Sequence, residues 1–224
     1  MGTTDVIAAL DRMGAPGELL EWRRWIPTRE QAWQRCDRAD WLLWLAAADV
    51  EPIDAIVVAA AEVVAHMRSG RELPSVIDMA IAAAMALADV EACRDAADAC
   101  EQKIARADES SRSALEAGAW VARAADGATA ARAADEAKRT ERGRHLATMV
   151  GIAPHAITPM PDGPLRLAPD EATAEPGWQL CAYAVAAAAE AVGHAAQAMA
   201  QDQPLQQVHA DLSDLVRKRR VAAL

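Results

Sequence analysis

The chain has 224 residues, 53% of them hydrophobic and 25% charged, which is globular composition with length enough to bury a sizeable core. A net charge of −10 argues against nucleic acid as the main partner, because neutralising phosphates requires a basic face. Alanine supplies about a quarter of the residues, Phe is absent and Tyr occurs once, so the bias favours helix over strand and leaves seven Trp, five of them before residue 45, to supply bulky packing.

In chain order, the spacing predicts a short helix over Asp5–Met13, stopped by Gly14-Ala15-Pro16-Gly17, and a second over Glu18–Trp25, ended by Pro27. Thr28 reads as an N-cap with Gln31 three residues on, the capping-box spacing, opening a helix to about Arg35. Asp40 is expected to cap the next helix, Trp41–Ala48, where Trp41, Trp44, Leu45 and Ala48 share a face. Pro52 suits the first turn of a helix running to Arg68, and Pro74 opens another to about Ala88.

From Val90 to Ala125 small and apolar residues recur in steps of three or four. They fall at Val90, Cys93, Ala97, Cys100, Ile104, Ala107, Ser111, Leu115, Gly118 and Val121. The pattern implies one long helix or two stacked ones. Asp126-Gly127 is the expected break, before an amphipathic helix from about Ala128 to Met149. Six of the eleven prolines then lie between Pro154 and Pro176, which marks a long non-helical connection over residues 151–176. An Ala-dominated helix over Gly177–Ala200 and a last one from Pro204, ending in Arg217-Lys218-Arg219-Arg220, complete the chain. Those closing cations suit the negative end of the helix dipole better than they suit a phosphate or a membrane surface.

The expectation is therefore an all-α, multi-helix bundle with close Ala-mediated helix packing and one Pro-rich connection, a single domain over residues 1–224. Met1 to Leu10 lacks the basic start and apolar run of a signal peptide. Ala55–Ala61 and Met79–Ala88 are too short to span a bilayer. Cys36, Cys93, Cys100 and Cys181 show no metal-type spacing. Cys93 and Cys100, at i, i+7, would stand about 10.5 Å apart along a helix, too far for a disulfide. A cytoplasmic location with buried thiols is expected.

Glu-x-x-x-His recurs three times, as Glu62/His66, Glu141/His145 and Glu190/His194, and puts a carboxylate and an imidazole on one helix face. Two such helices could hold a metal. Yet the di-iron bundle motif is Glu-x-x-His, and an i, i+4 ion pair accounts for each instance. No nucleophile elbow and no phosphate-cradling Gly loop occur. Ser110, Ser111 and Ser113 beside Asp108 and Glu109 read as capping or a solvated face. Asp37 and Asp40 near Cys36 should raise its thiol pKa. No residue is assigned to catalysis, to a cofactor or to a metal. Trp41 and Trp44 read as core, whereas at least one of Trp22, Trp25 and Trp33 is a candidate interface residue.

The block Ala32-Trp33-Gln34-Arg35-Cys36-Asp37-Arg38-Ala39-Asp40-Trp41-Leu42-Leu43-Trp44-Leu45 resembles an immunity protein family of bacterial polymorphic toxin systems, the immunity-five-like, Ala-rich helical group. The helix over Ile53–His66 and the Pro-led start Leu73-Pro74-Ser75-Val76-Ile77-Asp78 extend the likeness, so that its specific part covers about residues 32–80. Ala92–Ala137 and Ala210–Arg217 fit the family's later Ala-rich sequence and final helix. The chain departs from that pattern at Asp49-Val50-Glu51 and in the length of its Pro-rich segment. The resemblance implies a non-enzymatic protein that binds and neutralises a toxin by occlusion, and an acidic binder would suit a basic toxin domain. A helical scaffold or adaptor that inhibits nothing is the alternative, and a metal-dependent bundle enzyme using the Glu/His pairs the third.

Overall fold

Residues 3–49, 51–69, 71–150, 176–201 and 203–223 are described by a computed structural model. Among them the regular elements are all α-helices, in the order α1 (Thr3–Arg12), α2 (Gly17–Arg24), α3 (Arg29–Arg35), α4 (Ala39–Ala48), α5 (Ile53–Arg68), α6 (Val76–Ala86), α7 (Val90–Ile104), α8 (Glu109–Val150), α9 (Pro176–Met199) and α10 (Leu205–Ala223). The architecture is a multi-helix bundle. All ten helices contribute to one buried core.

Three helix starts are capped by a short polar side chain, whereas Ser75 at the start of α6 makes no such bond. The Thr28 hydroxyl accepts from the Gln31 N–H at 3.1 Å, Asp89 accepts from Ala92 at 2.9 Å, and Asp108 accepts from Ser111 at 2.7 Å. Each satisfies a backbone donor that the first helical turn leaves open. The Thr28 cap is as expected, but only one half of a capping box is made: the Gln31 Oε1 is buried without a hydrogen-bond partner. Asp40 does not cap α4. The helix begins at Ala39, Arg38 holds the capping position, and the Asp40 carboxylate turns to the Arg38 guanidinium instead.

Every residue of α4 is buried, as expected for a helix apolar on all sides. It lies against α1, α3, α5, α9 and α10. The most extensive helix pair is α8 with α9. At 42 residues, α8 is about 63 Å long. Its inner face is small: Ala114, Ala117, Val121, Ala124, Ala125, Ala128 and Ala131 are buried, and from Arg132 to Glu141 the side chains are exposed or half-exposed.

The seam from Val90 onward is built from two helices, α7 and α8, which separate at residues 105–108. Asp126-Gly127 does not break the chain, and α8 runs straight through it. The physical reason is lateral. A Cβ on Gly127 would stand 2.9 Å from Tyr183 Cδ1 and 3.3 Å from the Ala184 Cα, so this glycine admits α9 rather than ending a helix. Residues 151–175, which hold nearly all of the predicted Pro-rich connection, lie outside the described residues; Pro176 is the first residue of α9. No described helix is long and apolar enough to cross a membrane.

Candidate functional site

The three Glu/His pairs fall on α5, α8 and α9. His66 is exposed and Glu62 half-buried; Glu141 is exposed, and the His145 side chain lies outside the described residues. His194 stands between two carboxylates. Its Nδ1 stands 3.1 Å from Glu116 of α8 and its Nε2 3.9 Å from Glu190 of α9. The two carboxylates face opposite ring nitrogens, an arrangement that seats an imidazole between anions but does not focus three donors on one point. Among the described residues, no group of three or more His, Cys, Asp or Glu is placed to hold a metal ion.

All four cysteines are buried thiols. Burial pushes Cys36 up to about 12, with Asp40 and Asp37 adding to it, so the expected direction holds but desolvation is the larger cause. Burial likewise raises Cys93 to about 11 and Cys100 to about 12. A raised pKa works against thiolate formation at these three.

The Trp-rich start of the chain divides as core and surface. Trp41 and Trp44 are buried in α4. Trp22 is half-buried and tilts against Trp41 at 5.7 Å between centroids, while the Arg38 guanidinium lies 4.8 Å over the Trp41 ring. Trp33 is also half-buried. Trp25 is 85% exposed.

That exposure is held in place. Trp25 follows α2, and its backbone N–H donates to the Trp22 carbonyl. The next residue, Ile26, is buried, and the buried Arg23 donates Nη1 to the Ile26 carbonyl. Pro27 and the Thr28 cap fix the entry to α3, and Arg29 pairs with the buried Asp49 carboxylate at 2.6 Å. An aromatic ring of this size, displayed on a pinned corner, loses little conformational freedom on contact with a partner.

No family model matches the chain, and comparisons with curated proteins and with solved structures find no match.

Sequence reasoning missed a second polar grouping, inside the bundle. Arg23, Asp40, His209 and Ser213 are its buried polar residues among those described. His209 Nδ1 is 3.7 Å from Asp40 Oδ1, too long for a hydrogen bond, and Asp40 is also gripped by Arg38 at 3.0 and 2.5 Å. Burial lowers the His209 pKa, against the pull of Asp40. His209 Nδ1, Ser213 Oγ and Trp41 Nε1 lack hydrogen-bond partners among the described residues. A Ser, a His and an Asp recur here, all three buried, but the Ser213 hydroxyl makes no hydrogen bond to His209. One turn beyond Ser213, Arg217 ties α10 to the end of α3. It donates to the carbonyls of Trp33 at 3.1 Å, Gln34 at 3.3 Å and Cys36.

Proposed function

We propose that this protein is a non-catalytic, cytoplasmic binder of the immunity type, which occludes a toxin domain by docking through the Trp25 corner. The carrying observation is that Trp25 is 85% exposed on a turn pinned by Arg23, Thr28 and the Arg29–Asp49 pair. Large aromatic side chains dominate the binding energy of protein interfaces, and a rigid mount lowers the entropy lost on association. Close alanine packing belongs to the same reading, as a stiff frame, and so does the expected Pro-rich connection ahead of α9. The net charge of −10 favours a basic partner by raising the association rate.

Co-expression with toxin-like reading frames encoded beside this one, with growth as the readout, tests the proposal. Wild-type protein is expected to restore growth and to co-purify with one stoichiometric partner. Trp25→Ala should weaken that complex roughly thirtyfold, the effect of losing an interface hot spot worth about 2 kcal/mol. Leu205→Ala, on the opposite end of the sequence, serves as the exposed apolar control. Capture of a partner that has no toxic activity would support the scaffold reading instead.

A further inference from the structure

α6 reads as a core helix but is not buried as one. Its sequence, VIDMAIAAAMA, carries a single charge, at Asp78. Ile77, Ala80, Ala83 and Ala84 face inward, and Ile77 lies 3.5 Å from where a Cβ on Gly118 of α8 would stand. The opposite arc holds Ser75, Asp78, Met79, Ala82, Met85 and Ala86, all exposed. Met79 is 54% and Met85 39% exposed. A helix with no polar face normally has both sides covered, and among the described residues this one has a single side covered.

The surroundings of that arc are anionic. Glu72 precedes it, Asp78 sits in its first turn, and Asp89 and Glu91 follow its end, with Asp95 and Asp98 beyond on α7; all are exposed. One arginine offsets the arc's own Asp78, and two others of this region are committed elsewhere. Arg68 pairs with Asp78 at 3.1 Å, Arg71 donates to the Ala198 and Met199 carbonyls, and Arg94 pairs with Asp126 at 3.2 Å.

We propose that the outer face of α6 is a docking surface for an amphipathic helix of another protein, apolar on the contact face and flanked by Lys or Arg. Methionine is flexible and polarizable, and methionine-lined surfaces accept apolar helices of varied shape. Ala82 and Ala86 let a second helix axis come close. Carboxylates at both ends select cations on the partner. A second copy of this chain is disfavoured, since either orientation of an α6 pair brings carboxylates together. Residues 151–175 are disfavoured as an intramolecular cover for the same reason, carrying Asp162, Asp170, Glu171 and Glu175 against Arg166 alone.

The experiment uses the full chain and a labelled synthetic peptide of about 20 residues, long enough to hold a helix. The peptide has leucines along one helical face and lysines at its ends, and a scrambled peptide of the same composition is the control. Fluorescence anisotropy is expected to show binding of the amphipathic peptide alone. Binding should weaken at least tenfold in the M79Q/M85Q double variant, and its salt dependence should flatten in E72Q/E91Q. Both pairs lie on the surface, so unchanged circular dichroism and melting will show that the fold is kept. W25A, which probes the Trp25 corner, should bind the peptide as wild type does. The proposal is overturned by no binding, by equal binding of the scrambled peptide, or by indifference to M79Q/M85Q. It is also overturned if sedimentation finds a dimer that this variant dissolves. A chain that binds only after residues 151–175 are replaced by a Gly/Ser linker would overturn it too, by showing that the protein covers its own face.

Discussion

Ser213 and His209 show how much a buried polar atom depends on its neighbours. The Ser213 hydroxyl is fully buried with no hydrogen-bond partner among the described residues. Removing an unsatisfied buried group recovers its desolvation cost, so Ser213→Ala should leave stability unchanged or raise it by about 1 kcal/mol, read as a higher urea midpoint. His209 has the opposite sensitivity. Burial depresses its pKa below 6.5, so below that pH the unfolded chain binds a proton that the folded chain resists. Stability is therefore complete above pH 6.5 and falls with acidification until the folded imidazole itself titrates. The difference between urea midpoints at pH 7.5 and pH 5 should be smaller in His209→Gln than in wild type; an equal difference in both proteins would contradict the assignment.

At the scale of helices, two glycines in similar settings should respond in opposite directions. A Cβ on Gly193 of α9 meets nothing within 4 Å, so Gly193→Ala should gain about 1 kcal/mol from helix propensity. Gly127 faces Tyr183 and the α9 backbone, so Gly127→Leu should cost about 3 kcal/mol through overpacking. Thermal melts of the two variants check both signs. The same glycine explains where sequence reading failed. Asp126-Gly127 looks like a turn because a helical glycine admits two meanings, an end or a close approach, and only the partner helix decides between them. The real break, after Ile104, did carry a local signal in Asp108, whose carboxylate caps α8. Thr28 was legible for a similar reason, its partner being three residues away. Asp40 was not, because its partners are Arg38 and, from the far end of the chain, His209.

Across the whole molecule, periodicity and alanine content sufficed for an all-α bundle, since both are local properties summed over length. Surface could not be read the same way. Nothing in Trp22, Trp25 and Trp33 as letters singles out Trp25; its exposure follows from Ile26 and Arg23 turning inward on either side. α6 is the stronger case, because its composition argues for burial and its outer arc is open among the described residues. Trp25→Ala and M79Q/M85Q should consequently leave the stability measured by urea unfolding within about 0.5 kcal/mol of wild type, as expected of substitutions on solvent-facing positions. A large loss of stability in either would mean that the residue is covered in solution.

The bond from Arg217 to the Cys36 carbonyl spans 181 positions of sequence, and the one to Trp33 spans 184. On a ribosome those ends are separated in time. At about 5–20 residues per second, the close of α3 waits roughly 10 to 40 s for the arginine that ties it down. For most of that interval α4, with no polar face, has neither α9 nor α10 to cover it. The segment that carries the proposed Trp25 interface is thus made well before the helices that finish it, and nascent chains halted before α9 should recruit chaperones that the released protein no longer needs.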